Sequence, residues 1–443
     1  MVHTQELTKG NLYGHLAKLA VPLIFGNILQ QFYNTIDAYV VGRYVGQKEF
    51  AAIGIAGTVM NLFLFAMVGA CTGISVLFAK CYGRKDYEAL RAQHFTALYA
   101  GLSGSVLLGI AGIFGMQGIL ELIQTPAELK GYISEYLIWI FFSMPMAYLY
   151  NMYASALRAA GDTAAALWIL TASVAANLGL DILFVVNIKM GIGGAAKATA
   201  ITQCISAVLC MVYMAVAHKE LLLTRKSCKF KKRLFGDTVR YGIVTALHQT
   251  GVYLGKMLVW GAVNTAGTEG IAAYTAATRV EGFVNSFADS GSASTSVLAA
   301  QNYGAGDRER VKKTFRCSLT ELLTLGTVGG ILIFTASPWA AGLMFGATDG
   351  YAHMEAVRYL KTIAVVYPLC FTCSVFTGFY NGIGKVSLTL IGTLGQIALR
   401  VIFSWILFGK FQLAAVAAAT GIGWLAANGF WAWRLKTGIQ QNL

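Results

Sequence analysis

Apolar runs near the ~20 residues that a helix needs to cross a bilayer recur from one end of this chain to the other. Twelve are readable, at about 18–41, 50–79, 94–115, 132–156, 164–187, 193–217, 241–264, 270–300, 317–337, 358–382, 386–408 and 412–433. A chain so built can bury its backbone amides in hydrocarbon only by making them helical. Composition agrees, with 56% of the 443 residues hydrophobic and 12% charged, against roughly 25% charged in an average soluble domain. Mean hydropathy is +0.60. The expected fold is an all-α polytopic membrane protein with twelve transmembrane helices.

Charge then reports topology. Lys and Arg number 34 and Asp and Glu 20, a net +14 that would suggest nucleic-acid binding in a soluble chain. Here the basic residues sort between the two sides of the membrane. With the N-terminus inside, 23 Lys and Arg fall in inside connections and 7 in outside ones, the bias expected when short loops set orientation. Both termini are thus expected in the cytoplasm. The polar start, Met1 to His15, lacks the features of a cleaved signal peptide. Eight Cys lie mostly in apolar segments and are read as reduced thiols. No P-loop, Ser-His-Asp arrangement or HExxH occurs, so nothing points to an enzyme or a cofactor.

The chain is internally duplicated. A shift of 221 residues lays Phe50–Arg91 on Ile271–Lys312 without a gap, and twelve of 42 positions agree, including Ser75-Val76-Leu77 with Ser296-Val297-Leu298 and Tyr82-Gly83 with Tyr303-Gly304. A shift of 223 pairs Pro145 with Pro368 and Gly161 with Gly384. Six helices per copy is an even number, so both copies enter from the same side as parallel repeats, a plan used by secondary transporters. The expected domains are an N-terminal six-helix bundle over 1–217, a basic cytoplasmic linker over 218–240 and a C-terminal six-helix bundle over 241–443. The linker carries eight basic residues and is read as resting on anionic membrane lipid, not on nucleic acid.

Three segments give the chain a resemblance. They are Leu29-Gln30-Gln31-Phe32-Tyr33-Asn34-Thr35-Ile36-Asp37 running into Val41-Gly42-Arg43, then Ala156-Leu157-Arg158-Ala159-Ala160-Gly161-Asp162-Thr163, and Gln301-Asn302-Tyr303-Gly304-Ala305-Gly306-Asp307. Together they resemble the multidrug and toxic compound extrusion (MATE) transporters, bacterial DNA-damage-inducible-type branch, over nearly the whole chain. The resemblance implies an antiporter of the bacterial inner membrane, monomeric, that expels organic cations and other small amphipathic compounds using inward flow of Na⁺ or H⁺. A flippase for lipid-linked precursors or polysaccharides, from the same superfamily, is the alternative. It should line its cavity with several cations, whereas only Lys197 lies within an N-terminal span.

A charged side chain in a span costs at least ~2.5–3.5 kcal/mol on insertion scales and so needs a partner or a purpose. Asp37 lies in the first span, where Asn27, Gln30, Gln31 and Asn34 share a helical face. Asn177 and Asp181 are one turn apart in the fifth span, and Thr199 follows in the sixth. The resemblance implies a cation site of this make-up: an Asp on the first helix, an Asn and an Asp on the fifth, a Thr on the sixth. Carboxylates, an amide and a hydroxyl are hard oxygen donors suited to Na⁺, and crowded carboxylates could instead hold H⁺. A polar cluster that merely ties helices together is the plainer reading.

The second half breaks the pattern. Leu258, Arg400 and Ser404 stand where the first half has Asp37, Asn177 and Asp181, and a fixed guanidinium repels a bound cation unless an acid neutralises it. Gln30, Gln31, Asn34, His248, Gln249, Lys256, Glu281 and Asp289 are the candidates for lining a substrate cavity. For Glu281 and Asp289 the stronger expectation is structural pairing with Lys256 or Arg279. For His248 it is packing or an interhelical hydrogen bond. Lys197 could serve as counter-ion to the acidic site or as a cavity cation. Cys370-Phe371-Thr372-Cys373 sits inside a span without a second pair and is not read as a metal site.

Overall fold

The computed structural model describes residues 6–224, 228, 230–345 and 350–438, and the side chains of 34–39, 41, 42, 47 and 50 lie outside the description. Twelve long helices follow in order: α1 Leu12–Tyr44, α2 Gln47–Gly83, α3 Tyr87–Leu122, α4 Ala127–Ala159, α5 Thr163–Asp181, α6 Gly191–Ala217, α7 Lys232–Asn264, α8 Gly267–Gly304, α9 Arg308–Phe345, α10 Tyr351–Gly382, α11 Val386–Phe411 and α12 Leu413–Gly438. Among the described residues there is no strand. Most helices run past the apolar stretches that announce them, since helical hydrogen bonding continues where the side chains have turned polar. Nine, among the described residues, carry stretches long and apolar enough to cross a membrane. The other three are α4, α7 and α8. The protein is an all-α integral membrane protein.

The chain divides into two compact units, one of Met1–Glu6 and Phe25–Ala246, the other of Leu7–Ile24 and Leu247–Leu443. Both α1 and α7 are therefore shared along their length. Leu7, Leu12, Leu16 and Leu19 pack with Val297 and Leu298 in the second unit. The first turns of α7 pack in the first unit, where Gly69 and Gly73 leave no room for a Cβ beside Tyr241, Thr245 and Ala246.

Within the first unit α4 packs against α2, α3 and α6, and within the second α10 packs against α8, α9 and α12. The two arrangements correspond through the internal repeat. A Cβ at Gly109 of α3 would stand 2.7 Å from the Phe141 carbonyl of α4, and one at Gly330 of α9 would stand 2.6 Å from the Ala364 carbonyl of α10. Large apolar side chains left uncovered, such as Phe114, Phe142, Trp168 and Val216 in the first unit and Trp339 and Val365 in the second, suit a hydrocarbon surround.

All eight cysteines are free thiols. Cys370 and Cys373 are buried in α10, where the Cys373 Sγ lies 3.5 Å from the Trp424 carbonyl.

Candidate ion site and its surroundings

The short helix α5 ends at Asp181, and the chain continues as a π-helical segment, Ile182–Asn187, before α6 begins. Such widened turns recur at functional sites. Asn177 and Asp181, one turn apart, are each only 1% exposed. The Asn177 Nδ2 donates to the Thr202 Oγ1 of α6 at 3.3 Å, while among the described residues its Oδ1 has no hydrogen-bond partner. That oxygen is an acceptor available to a cation. One turn along, the Ser173 and Ser206 hydroxyls lie 2.7 Å apart. Thr199 is half-buried on α6. It is Thr202, not singled out in the sequence, that meets Asn177, although a step of three residues from Thr199 keeps it on the same side of the helix.

Asp37 and Asn34 lie on α1, with side chains outside the described residues. Gln30 and Gln31 are exposed on the same helix, and Pro22 lies inside it. Lys197 places its Nζ 5.2 Å from the Trp139 ring centroid on α4, a cation–π contact. Nearby on α4 is Glu135, an acid the sequence reading passed over, whose carboxyl fills the space that a Cβ at Gly193 would need.

In the second unit, the buried Glu281 of α8 accepts a hydrogen bond from the Tyr359 hydroxyl at 3.0 Å. Arg400 of α11 reaches the Tyr274 hydroxyl at 3.5 Å, and the rings of Tyr274 and Tyr359 meet edge to face at 5.5 Å. Glu281 is the acid that interacts electrostatically with Arg400. Among the described residues the two form no ion pair within 4.0 Å, so the interaction is one at longer range. The expected pairing of Lys256 or Arg279 with Glu281 or Asp289 is not realised as an ion pair within 4.0 Å among the described residues. Lys256 and Asp289 are both exposed and interact at longer range. His248 makes the interhelical bond expected of it, with Nε2 2.9 Å from the Thr393 hydroxyl, and Gln249 beside it is half-buried.

A further polar cluster closes one end of the first unit, in the connections outside the spans. His218 is fully buried between two carboxylates, with Nε2 3.2 Å from Asp162 Oδ2 and Nδ1 3.0 Å from Glu220 Oε1. Tyr213 donates to Asp162 at 2.9 Å and Tyr82 to Glu220 at 2.7 Å. Asp162 also caps α5 by accepting from the Ala165 amide. Burial opposes charge on His218, but hydrogen bonds to Asp162 and Glu220 outweigh it and raise the imidazole pKa. Burial likewise opposes charge on the two carboxyls. Hydrogen bonds from His218, the Ala165 amide and Tyr213 hold Asp162 below its usual value, and Tyr82 and His218 lead in doing the same for Glu220.

A duplicated helical membrane protein of two bundles has the plan of a transporter. The MatE family model matches the chain twice, over residues 22–183 and 244–406, and the chain belongs to the MATE family of multidrug efflux transporters. Members of this family are transporters and not enzymes. The probable multidrug resistance protein YpnP of Bacillus subtilis is 25% identical over 96% of this chain and 92% of its own length. YoeA, with the same description and from the same organism, is 30% identical over 75% of this chain and 74% of its own. Among solved structures, a crystal structure of MATE in complex with MaL6 superposes with a TM-score of 0.90 at 20% identity, covering all of both chains. A MOP superfamily transporter from Pyrococcus furiosus, described as having a binding pocket of reverse polarity that suggests a different function, gives 0.88 at 20% identity over 100% and 99%.

Proposed function

We propose that the protein is a secondary active antiporter that exports small organic cations and other amphipathic compounds, driven by inward flow of Na⁺ or H⁺ through an acidic site in the first unit. Asp37, Asn177, Asp181 and Thr199 form that site in this reading, with Thr202 orienting the Asn177 amide. The observation that carries it is the buried Asn177–Asp181 turn, where an amide oxygen has no hydrogen-bond partner among the described residues and a carboxylate one turn away sits where an apolar core would not tolerate it without a purpose. Relatives described as multidrug resistance and multidrug export proteins support an outward direction and a range of drug substrates. Gln30, Gln31, Asn34, His248, Gln249, Lys256, Glu281 and Asp289 are proposed to contact substrate. The protein is proposed to work as a monomer in the bacterial inner membrane with both termini cytoplasmic.

The test is efflux of ethidium from proteoliposomes under separately imposed Na⁺ and H⁺ gradients. Asp37→Asn and Asp181→Asn each remove a charge at nearly constant shape. Both should abolish gradient-driven efflux while expression and ethidium binding persist. Pumping at the parent rate by both variants would place the ion elsewhere, with Glu281 and Asp289 the next candidates.

A further inference from the structure

One side chain ties the start of α5 to the segment that leaves α6. His218 caps the end of α6 and is fully buried. Its Nε2 meets Asp162, which caps α5, and its Nδ1 meets Glu220 in the short turn Lys219–Leu221. The groups around the imidazole are all accounted for by element. From α2, Tyr82 donates to Glu220, and from α6, Tyr213 donates to Asp162. From α3, the Arg91 Nε donates to the Glu220 carbonyl at 3.0 Å, and the His94 Nδ1 lies 2.9 Å from the Leu221 carbonyl. Lys219 beside His218 is exposed.

Counting donors fixes the state of the imidazole. An ionised carboxylate only accepts, and a neutral imidazole carries one N–H and one lone pair. Both contacts are hydrogen bonds only when both nitrogens carry protons. Donors from the Ala165 amide, Tyr213 and Tyr82 already favour the ionised form of the two carboxyls. Loss of the second proton from His218 therefore turns a lone pair toward a carboxylate oxygen no more than 3.2 Å away. Asp162 is fixed as the cap of a long helix, whereas Glu220 rides on a turn of three residues. The turn is the side that gives way.

We propose that His218 is a pH-operated latch, closed when doubly protonated, that slows transport by holding α5, α6 and the turn after α6 together at their cytoplasmic ends. The proposal rests on the ion site and topology proposed above. In that reading α5 carries Asn177 and Asp181 and α6 carries Thr199, with Thr202 orienting Asn177, so the latch restrains the two helices that rearrange as the ion binds and leaves. Burial opposes the charge, and the bonds to Asp162 and Glu220 outweigh it, so the imidazole stays charged above its ordinary value of about 6.5. Acid closes the latch, so an inflow of protons acts back on its own rate.

Two measurements on the full chain test this. Hydrogen exchange in detergent follows the Leu221 and Leu222 amides, which donate to the His218 and Lys219 carbonyls within the turn. It is read as protection factors, which remove the intrinsic pH dependence of exchange. Ethidium uptake into everted membrane vesicles follows turnover, with both faces shifted in pH together so that the gradient stays constant. As the pH rises from mild acid to mild alkali, protection should fall by about tenfold, the equivalent of ~1.4 kcal/mol, and uptake should rise along the same curve. His218→Gln, whose amide offers a donor on one side and an acceptor on the other, should be poorly protected and fast at every pH. Glu220→Gln should do the opposite. Its amide accepts from Tyr82 and donates to a neutral Nδ1, so the turn should stay protected and uptake slow throughout. A tie that is only structural would lose protection in both variants. Protection that is independent of pH in the parent, or lost in Glu220→Gln, would overturn the latch, as would uptake that does not follow protection. Absence of gradient-driven uptake by the parent would count against the antiporter instead, and the exchange data would still decide the latch.

Discussion

In the proposed ion site, Asn177 is the side chain whose two ends are distinguished by their partners. Its amide nitrogen is spent on Thr202, and its oxygen has no hydrogen-bond partner among the described residues. Fixing the nitrogen fixes which end of the amide is offered, so Thr202→Val should do more than remove a hydroxyl. With the nitrogen left unpaired at a cost of ~1–3 kcal/mol, the amide is free to turn and offer its donor end to the ion. The concentration of Na⁺ or H⁺ that half-activates ethidium efflux should rise by about tenfold, the equivalent of ~1.4 kcal/mol. Thr199→Val measured alongside separates a direct ligand from an orienting one. A Thr202→Val protein with the parental ion dependence would show that the 3.3 Å bond does not set the amide. The sequence offered Asn177 and Asp181 readily, because polar residues one turn apart in an apolar run stand out. It offered Thr199 by resemblance and passed over Thr202, since which of two hydroxyls on one helical face meets a neighbour depends on how α5 and α6 pack. Glu135 escaped for a related reason. It lies near the start of an apolar run, where a charge reads as loop, and only the approach of α4 to Gly193 gives it a place.

Elements are held by two kinds of contact here, close backbone approach within the bundles and charged hydrogen bonds at their ends. The repeat-related glycines 109 and 330 let α3 meet α4 and α9 meet α10 with carbonyls under 3 Å from where a Cβ would sit. Gly109→Ala and Gly330→Ala should each cost ~1–3 kcal/mol, as overpacking does, and lower the unfolding temperature in detergent. Gly104→Ala, where a Cβ meets nothing within 4 Å, is the control and should leave it unchanged or raise it. At the bundle end, His218 joins the turn before α5, through Asp162, to the segment after α6, through Glu220. Its pKa is raised, so its contribution is complete below the ordinary imidazole value of about 6.5 and fades as pH rises through the folded value. The carboxyls' contribution runs the other way, present above their ordinary values near 4 and lost as pH falls through the lowered ones. His218→Gln should therefore destabilise by ~1–3 kcal/mol in mild acid, and the gap to the parent should close as the pH is raised. A gap of constant size across that range would mean the imidazole is neutral and only packs. Hydropathy located every one of these helices but could not foresee this cluster, because Asp162 and His218 lie in connections where charge is ordinary. Only the fold brings the α4–α5 turn to the end of α6.

The molecule repeats its architecture without repeating its chemistry. The family model matches it twice, and the packing of α4 among α2, α3 and α6 recurs in α10 among α8, α9 and α12. The duplication was legible in the sequence because turn residues, prolines and small residues persist at fixed spacing. Which unit each half of α1 and α7 packs with was not, because hydropathy registers burial in lipid and is blind to the choice of neighbour. The polar positions diverged as the packing ones stayed. Where the first unit has Asn177 and Asp181, the second has Arg400, which interacts electrostatically with Glu281, and a buried Ser404. A ligand shifts a conformational equilibrium only through its differential affinity for the two states, so the unit that binds the cation must be the one whose stability the cation changes. One elementary charge crossing 100 mV supplies ~2.3 kcal/mol, enough for a bias of roughly fiftyfold from a single ion. Hydrogen exchange should accordingly slow on adding Na⁺ or acid chiefly in residues 25–41 and 164–217 of the first unit, with smaller changes in 247–264 and 358–408 of the second. Asp181→Asn should erase the response in the first unit and leave the second as it was. Equal responses in both units, or a response confined to the second, would mean that the ion binds in the second unit and that the asymmetry between the repeats points the other way.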